Sequence, residues 1–168
     1  GELPEGWFGK SNAMRVAAEN SSGEWLLFTD ADCRQLSTQT ISIALRYALE
    51  RGVDLLSITP TLEARTLWER IVQPACALIL MIWFLPNRVN NPNRRAAYAN
   101  GAFMLFRRSC YEAIGGHANA RSSLNEDIHL ARLVKRAGLR LRVAGSRGLF
   151  STRMYGTPLQ AWRGWSRL

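Results

Sequence analysis

Four carboxylates in two places carry the chemistry this sequence can do. Asp30 and Asp32 stand one residue apart at the end of WLLFTDADC (25–33), straight after a run of bulky apolar residues. Glu126 and Asp127 stand together in LNEDIHLARLVKRAG (124–138). A pair of hard oxygen ligands at a strand end suits Mg²⁺ or Mn²⁺, ions that commonly bridge to phosphates. D-x-D alone also reads as a turn, where Asp is common. Asp127 has the character of a general base in a cleft beside such an ion. The pair equally suits a helix start, with Asn125 as N-cap and acids in the first turn complementing the helix dipole.

The elements that must hold these groups follow from periodicity. Residues 9–23 read as a helix with Ala13, Val16 and Ala17 on one face, stopped by the turn residues Asn20 to Gly23. Residues 24–30 read as a strand. Its four consecutive apolar residues imply burial on both faces, as at the centre of a parallel sheet. A second helix over 37–52 has Ile41, Ala44, Leu45, Ala48 and Leu49 in register and Gly52 as its stop, and a strand follows at 53–59. This alternation predicts an α/β fold with a parallel sheet. Ligands of such sheets bind beyond the carboxyl ends of the strands, where Asp30 and Asp32 fall. Ile128, Ala131, Leu133, Val134 and Ala137 form the stripe of a later helix that Gly138 ends. Residues 145–156 read as a late strand and loop, with Arg147 and Arg153 either meeting a phosphate or simply solvated.

The 168 residues suffice for one domain with a core of its own. Gly1 and the mid-pattern end at Leu168 are expected of a piece of a longer protein. Three widely spaced cysteines, Cys33, Cys76 and Cys110, argue against a disulfide framework or a zinc site and fit a reducing compartment. Cys33 reads as a small apolar filler, and His117 and His129 as structural residues. The net charge is +9, and all of the excess sits in residues 128–168, which carry nine Lys or Arg and no acid. Such a basic half implies an anionic neighbour or a solvated basic face. It carries no RNP strand, zinc finger or KH loop, so no nucleic-acid partner is expected. The run 71–86 is uncharged but contains Pro74 and ends at Pro86. A span needs ~20 apolar residues, so an interfacial or re-entrant helix is expected here, with a buried core or dimer helix as the alternative.

The combination is more specific than its parts. The Gly9-Lys10 pair, FTDADC, YANGAFMLFRRSCYEAIGGH and NEDIHLARLVKRAG, in that order, resemble glycosyltransferase family 2 with the GT-A fold. WER, QPA, VNNP, IGGH and ARLVKRAG are similar to its membrane-associated branch, which glycosylates carotenoid, hopanoid and ceramide lipids. The resemblance implies a Rossmann-like, mixed but mainly parallel sheet flanked by helices, without the N-terminal nucleotide-binding strand. Residues 1–156 would be an N-terminally truncated catalytic domain, and 157–168 the start of an amphipathic, membrane-proximal segment.

It also implies roles. Lys10 and Asp30 would bind the donor, and Asp32 with Asp30 would hold Mg²⁺ or Mn²⁺ against the diphosphate. Asn100 and Gly101 would line the wall where sugar and acceptor meet, Gly101 by close backbone approach. Asp127 would be the catalytic base with Glu126 beside it. Gln160, Arg163 and Trp165 in QAWRGW form a variant of the family's Q-x-x-R-W, with Gly164 where Trp is usual. They would line the acceptor wall, or else belong to a basic amphipathic segment at the membrane surface. The activity implied is metal-dependent, inverting transfer of a sugar, from a UDP-sugar foremost, to the hydroxyl of a lipid-type acceptor. The enzyme would be membrane-associated, with its site on the cytoplasmic face. The competing reading is a non-catalytic remnant of the fold that uses its basic half to bind a membrane surface or nucleic acid.

Overall fold

The computed structural model describes residues 3–153, 155 and 157–165. Helix α1 (Gly9–Glu19) leads into strand β1 (Trp25–Thr29) and the short β2 (Cys33–Gln35). Helix α2 (Thr40–Glu50), β3 (Leu55–Thr59) and β4 (Thr61–Leu62) follow. Next come α3 (Leu67–Trp83), the single turn α4 (Pro86–Val89), β5 (Phe103–Arg107) and α5 (Arg108–Ala113). A 3₁₀ turn at Gly116–Ala120 precedes α6 (Glu126–Arg136), β6 (Leu141–Gly145), β7 (Phe150–Thr152) and α7 (Pro158–Trp165).

The main sheet has the order β1-β5-β3-β6. β3 and β6 are parallel, and β5 runs antiparallel between β1 and β3. β1, β3 and β6 therefore point the same way, and their carboxyl ends meet the amino end of β5 at one edge. The sheet is mixed, as the resemblance implied. The placement of β1 differs from expectation: among the described residues it is an outer strand, and its burial alternates, with Leu26 and Phe28 inside. The strand buried on both faces is β5, whose Phe103 and Leu105 face one core while Met104 and Phe106 face the other. A fully buried side chain of that size contributes about 1.5–3 kcal/mol of transfer free energy. β5 is thus the hydrophobic keystone of the edge where the site lies. A second sheet, β2-β7-β4, closes over the same end.

Helix α1 buries Ser11 and Ala18, while Ala13, Val16 and Ala17 are exposed. Small residues permit either face, and the one chosen packs on the 3₁₀ turn. In α2, Ala44 and Ala48 are buried as expected, whereas Ile41 and Leu49 are exposed. In α6 the expected stripe holds at Ile128, Ala131 and Val134, with Leu130 buried beside it.

Helix α3 is inverted. Its buried residues are Glu69 and Gln73, at 0% and 1% exposure, whereas Ile71, Ile82 and Trp83 are 64%, 61% and 67% exposed. The helix starts at a capping box made by Thr66 and Glu69. Glu69 also accepts hydrogen bonds from Arg153 at 3.0 Å, which ties the helix to the segment after β7. The segment Leu67–Val89 has a mean hydropathy of 1.4 and meets the length and composition of a membrane span, with 11% of its window buried. It is not the buried core helix that the sequence left open.

Candidate active site

The site forms where β1 ends and β5 begins. Thr29 pairs with Phe103, and the Thr29 hydroxyl donates to the Ala102 carbonyl at 2.8 Å. That register sets Asp30 opposite the Asn100-Gly101 turn. Lys10, on the first turn of α1, reaches Asp30 Oδ1 at 2.8 Å and Glu126 Oε1 at 2.7 Å. Burial by itself would lower the Lys10 pKa, but the hydrogen bonds and charges of Asp30 and Glu126 outweigh it and hold the ammonium charged. Glu126 itself is buried and turned to Lys10.

Asp127 Oδ2 accepts the Gly101 N–H at 3.0 Å, and Oδ1 accepts the Ile128 N–H at 2.7 Å. Asn125 occupies the N-cap position of α6 without a side-chain capping bond. Burial pushes the Asp127 carboxyl up to about 6, the neighbouring Glu126 charge adds to the rise, and the two N–H donors and Lys10 oppose it. Gly101 is the point of convergence. A Cβ there would lie 3.1 Å from Lys10 Nζ, 3.5 Å from Asp127 Oδ2 and 3.7 Å from Asp30 Oδ2. The sequence-predicted residues Lys10, Asp30, Gly101, Glu126 and Asp127 are therefore brought together, although 117 positions separate Lys10 from Asp127 along the chain.

Asn100 is spent largely on the turn itself. Its Oδ1 accepts from Ala102 N at 3.0 Å, and its amide donates to the Tyr98 hydroxyl at 3.4 Å. Two residues that sequence reasoning missed support it. Buried Ser57 on β3 accepts from Asn100 N at 2.8 Å and donates to the Asn100 carbonyl at 3.3 Å. Tyr98 stacks on Phe84 at a centroid distance of 4.8 Å. Its phenol is pushed up first by burial and further by the Asp127 charge. Its position two residues before Asn100 was the available signal.

Asp32 is exposed, and its nearest polar contact is the Cys33 thiol at 4.0 Å. Its oxygens are available to a hard cation, and Asp30 stands beside it at the same strand end. The donor set thus fits Mg²⁺ or Mn²⁺ in chemistry. Among the described residues no three His, Cys, Asp or Glu side chains cluster as a metal cage, so ligands from a bound phosphate or water would complete the shell.

Other predicted residues lie apart. Arg153 is committed to Glu69. Arg147 is exposed, with a positive φ of 48° in the turn after β6. His117 is fully buried against Phe28 and shares a 2.8 Å hydrogen bond with the Tyr111 hydroxyl, a structural placement. Gln160 lies exposed on α7. The side chains of Arg163 and Trp165 lie outside the described residues.

A cleft of about 230 Å³ opens where α3 meets α6, lined by Leu80, Trp83, Phe84, Leu124, Ile128 and Arg132 among others. Ile128 places it one residue from Asp127.

A family model described as Glycosyltransferase like family 2 matches residues 3–148. Among curated proteins the chain is 24% identical over 163 residues to a 4,4'-diaponeurosporenoate glycosyltransferase of Staphylococcus haemolyticus (strain JCSC1435), covering 96% of this chain and 43% of that protein. Among solved structures it resembles the mannosyltransferase PcManGT of Pyrobaculum calidifontis in complex with GDP-Man and Mn²⁺. The TM-score is 0.63 and the identity 19%, over 94% of this chain and 40% of that one. It also resembles glucosyl-3-phosphoglycerate synthase of Mycobacterium tuberculosis in complex with Mn²⁺, UDP and glucosyl-3-phosphoglycerate. There the TM-score is 0.58 and the identity 18%, over 98% of this chain and 53% of that one. The chain thus spans about half or less of the length of these relatives and shares the GT-A fold of the solved ones.

Proposed function

The chain belongs to glycosyltransferase-like family 2, and from that premise we propose that its protein moves a sugar from a nucleotide-sugar donor, a UDP-sugar foremost, to the hydroxyl of a lipid-type acceptor at a membrane surface. One observation carries the reading: a carboxylate lifted to about 6 at the strand-end edge, oriented by Gly101 and Ile128 N–H groups beside the Lys10–Asp30–Glu126 network. A base is most effective when its pKa lies near the working pH.

Asp127 takes the proton of the acceptor hydroxyl as that oxygen bonds to the anomeric carbon and the bond to the nucleoside diphosphate breaks. Attack opposite the leaving group inverts the anomeric centre. Asp30 and Asp32 would hold a divalent cation, which when bound would supply Lewis-acid neutralisation of the leaving diphosphate. Lys10 keeps Asp30 and Glu126 from repelling each other and holds both in place. Gly101 leaves room for the sugar because any side chain there would crowd Lys10 and Asp127.

Likeness to a 4,4'-diaponeurosporenoate glycosyltransferase, a carotenoid-type enzyme, supports an apolar acceptor. The exposed apolar face of α3 supports a protein that lies on a membrane, because its other face, with buried Glu69 and Gln73, is turned to the protein and tied there by Glu69. The odd, widely spaced cysteines agree with a site on the cytoplasmic side.

The test is transfer by membranes carrying the full-length protein, given labelled UDP- or GDP-sugars with and without Mn²⁺. Lipid-extractable label that needs the metal and vanishes in Asp127→Asn is the expected result. Label confined to water-soluble products would overturn the lipid acceptor. Undiminished label in folded Asp127→Asn would overturn the base.

A further inference from the structure

Beyond the α3–α6 cleft lies a larger cavity of about 560 Å³. Its lining includes Arg94, Arg95, Arg132, Lys135 and Arg136, with no acidic residue. A neighbouring hollow of about 340 Å³ shares Arg94 and Arg95 and adds Arg88. Neither is lined by Lys10, Asp30, Gly101, Glu126 or Asp127.

The cations here are gathered in one place without a counter-charge, whereas several of those elsewhere in the chain are paired. Arg15, Arg65, Arg107, Arg108 and Arg153 each face a carboxylate within 4 Å. The side chains of Arg88, Arg94, Arg95, Arg132 and Arg136 make no ion pair or hydrogen bond among the described residues. Lys135 instead donates to the Asn91 carbonyl at 2.7 Å, pinning the loop that carries Arg94 and Arg95 to α6. Like charges gathered without counter-charge repel one another, and an anion in the cavity relieves that cost. Guanidinium forks match phosphate oxygens in a bidentate way.

Arg132 lines both the basic cavity and the apolar cleft of Leu80 and Trp83. The two spaces therefore share a wall, polar on one side and apolar on the other. Trp83 and Ile82, at that end of α3, are exposed, and Trp favours the membrane–water boundary. This continuity selects an amphiphile over a free ion. We propose that the cavity of Arg94, Arg95, Arg132, Lys135 and Arg136 holds the phosphate of an anionic phospholipid headgroup, whose apolar part lies toward Leu80 and Trp83. The proposal rests on the membrane-surface reading of α3. Arg132 is five residues from Asp127 on the same helix, about 7.5 Å along its axis. A docked headgroup would thereby fix the height of the base above the lipid surface.

The test is co-sedimentation of the full-length protein with phosphatidylcholine vesicles, with and without phosphatidylglycerol, at matched ionic strength. Tighter binding to the anionic vesicles is expected. Arg94→Ala/Arg132→Ala should weaken that binding on the order of 10- to 30-fold. Arg46→Ala/Arg51→Ala, an equal loss of charge on α2 and at its C-cap, outside the cavity, should weaken it far less. Both cavity arginines are exposed, and melting curves verify the fold of each variant. Equal losses in the two double variants, or no preference for anionic vesicles, would overturn the proposal. Inorganic phosphate that binds the lipid-free protein through Arg94 and Arg132, yet leaves vesicle binding unchanged at constant ionic strength, would overturn the headgroup as occupant in favour of a free phosphate. Binding to neutral vesicles reports α3 alone and label transfer reports Asp127, so a failure here is distinct from a failure of the reading it rests on.

Discussion

Asp127 and Glu69 are both drawn away from solvent, and they are driven in opposite directions. The Glu69 carboxyl is held down to about 2, first by the Thr66 N–H, and by the Thr66 hydroxyl, the Arg65 N–H and Arg153 against the cost of burial. Asp127 receives only the Gly101 and Ile128 N–H groups and has Glu126 as its neighbour, so burial wins and the carboxyl rises to about 6. Burial alone therefore does not set a carboxylate's task. Glu69 is saturated with donors and anchors a helix. Asp127 is left short of donors, which costs stability and leaves it able to accept a proton.

The widest separation between the two comes from removing each. Asp127→Asn should lower transfer by about a thousandfold, within the usual range for a general base, with no loss of melting temperature. Glu69→Ala leaves Arg153 facing a void and strips the start of α3. It should lower the melting temperature by about 10 °C, the scale of a broken buried ion pair in a chain of this size. It should leave transfer near wild type when assayed well below the transition. Loss of transfer in well-folded Glu69→Ala would erase the division of labour.

Gly101→Ala tests how closely the site is drawn. The added Cβ meets the flexible end of Lys10 at 3.1 Å rather than backbone, and Gly101 has no positive φ, so the fold should survive. Lys10 must shift, which loosens Asp30 and Glu126 together. Transfer should fall on the order of 10- to 100-fold, as expected of misplaced groups. The same change at an exposed glycine such as Gly9, which a Cβ would leave in open space, should do nothing to transfer.

Local chemistry was legible in the sequence and long-range pairing was not. Asp30, Asp32, Glu126 and Asp127 could be picked out as candidates by identity and spacing. The same residues also suit a turn and a helix start, and only the order of the motifs along the chain favoured ligands and a base. That β5 slots between β1 and β3 depends on register: the Thr29 to Ala102 bond spans 73 residues, and no local pattern encodes it. The Glu69–Arg153 pair spans 84 residues for the same reason, and Arg153 was open to a diphosphate role until its partner was visible. Hydropathy marked α3 as apolar but could not say which side faces the protein, since two polar residues, Glu69 and Gln73, decide it. The face of α1 was misread because Ala13, Val16 and Ala17 and the observed Ser11 and Ala18 are all small enough to pack.

The subtlest consequence of the comparison is in the pH dependence of stability. Glu69 titrates in the folded protein below its ordinary 4.5, so it contributes stability above that pH and loses it as pH falls toward 2. Asp127 titrates above its ordinary 3.8, so its contribution is greatest below 3.8 and is lost as pH rises through about 6. The charges that face Asp127 are Glu126 and Lys10, with Asp30 across Gly101 and the Tyr98 phenol nearby, and Lys10 stays protonated throughout that window. Replacing Asp127 by Asn removes an ionisable group that is unfavourable when charged. Asp127→Asn should therefore melt a few degrees above wild type at pH 8, and the gain should vanish near pH 4, where the wild-type carboxyl is already neutral. The acid limb of transfer should share that midpoint near pH 6, falling as Asp127 protonates. A gain that persists unchanged at pH 4 would mean that the asparagine improves packing rather than relieving a charge, and the contrast with Glu69 would then rest on shape instead of ionisation.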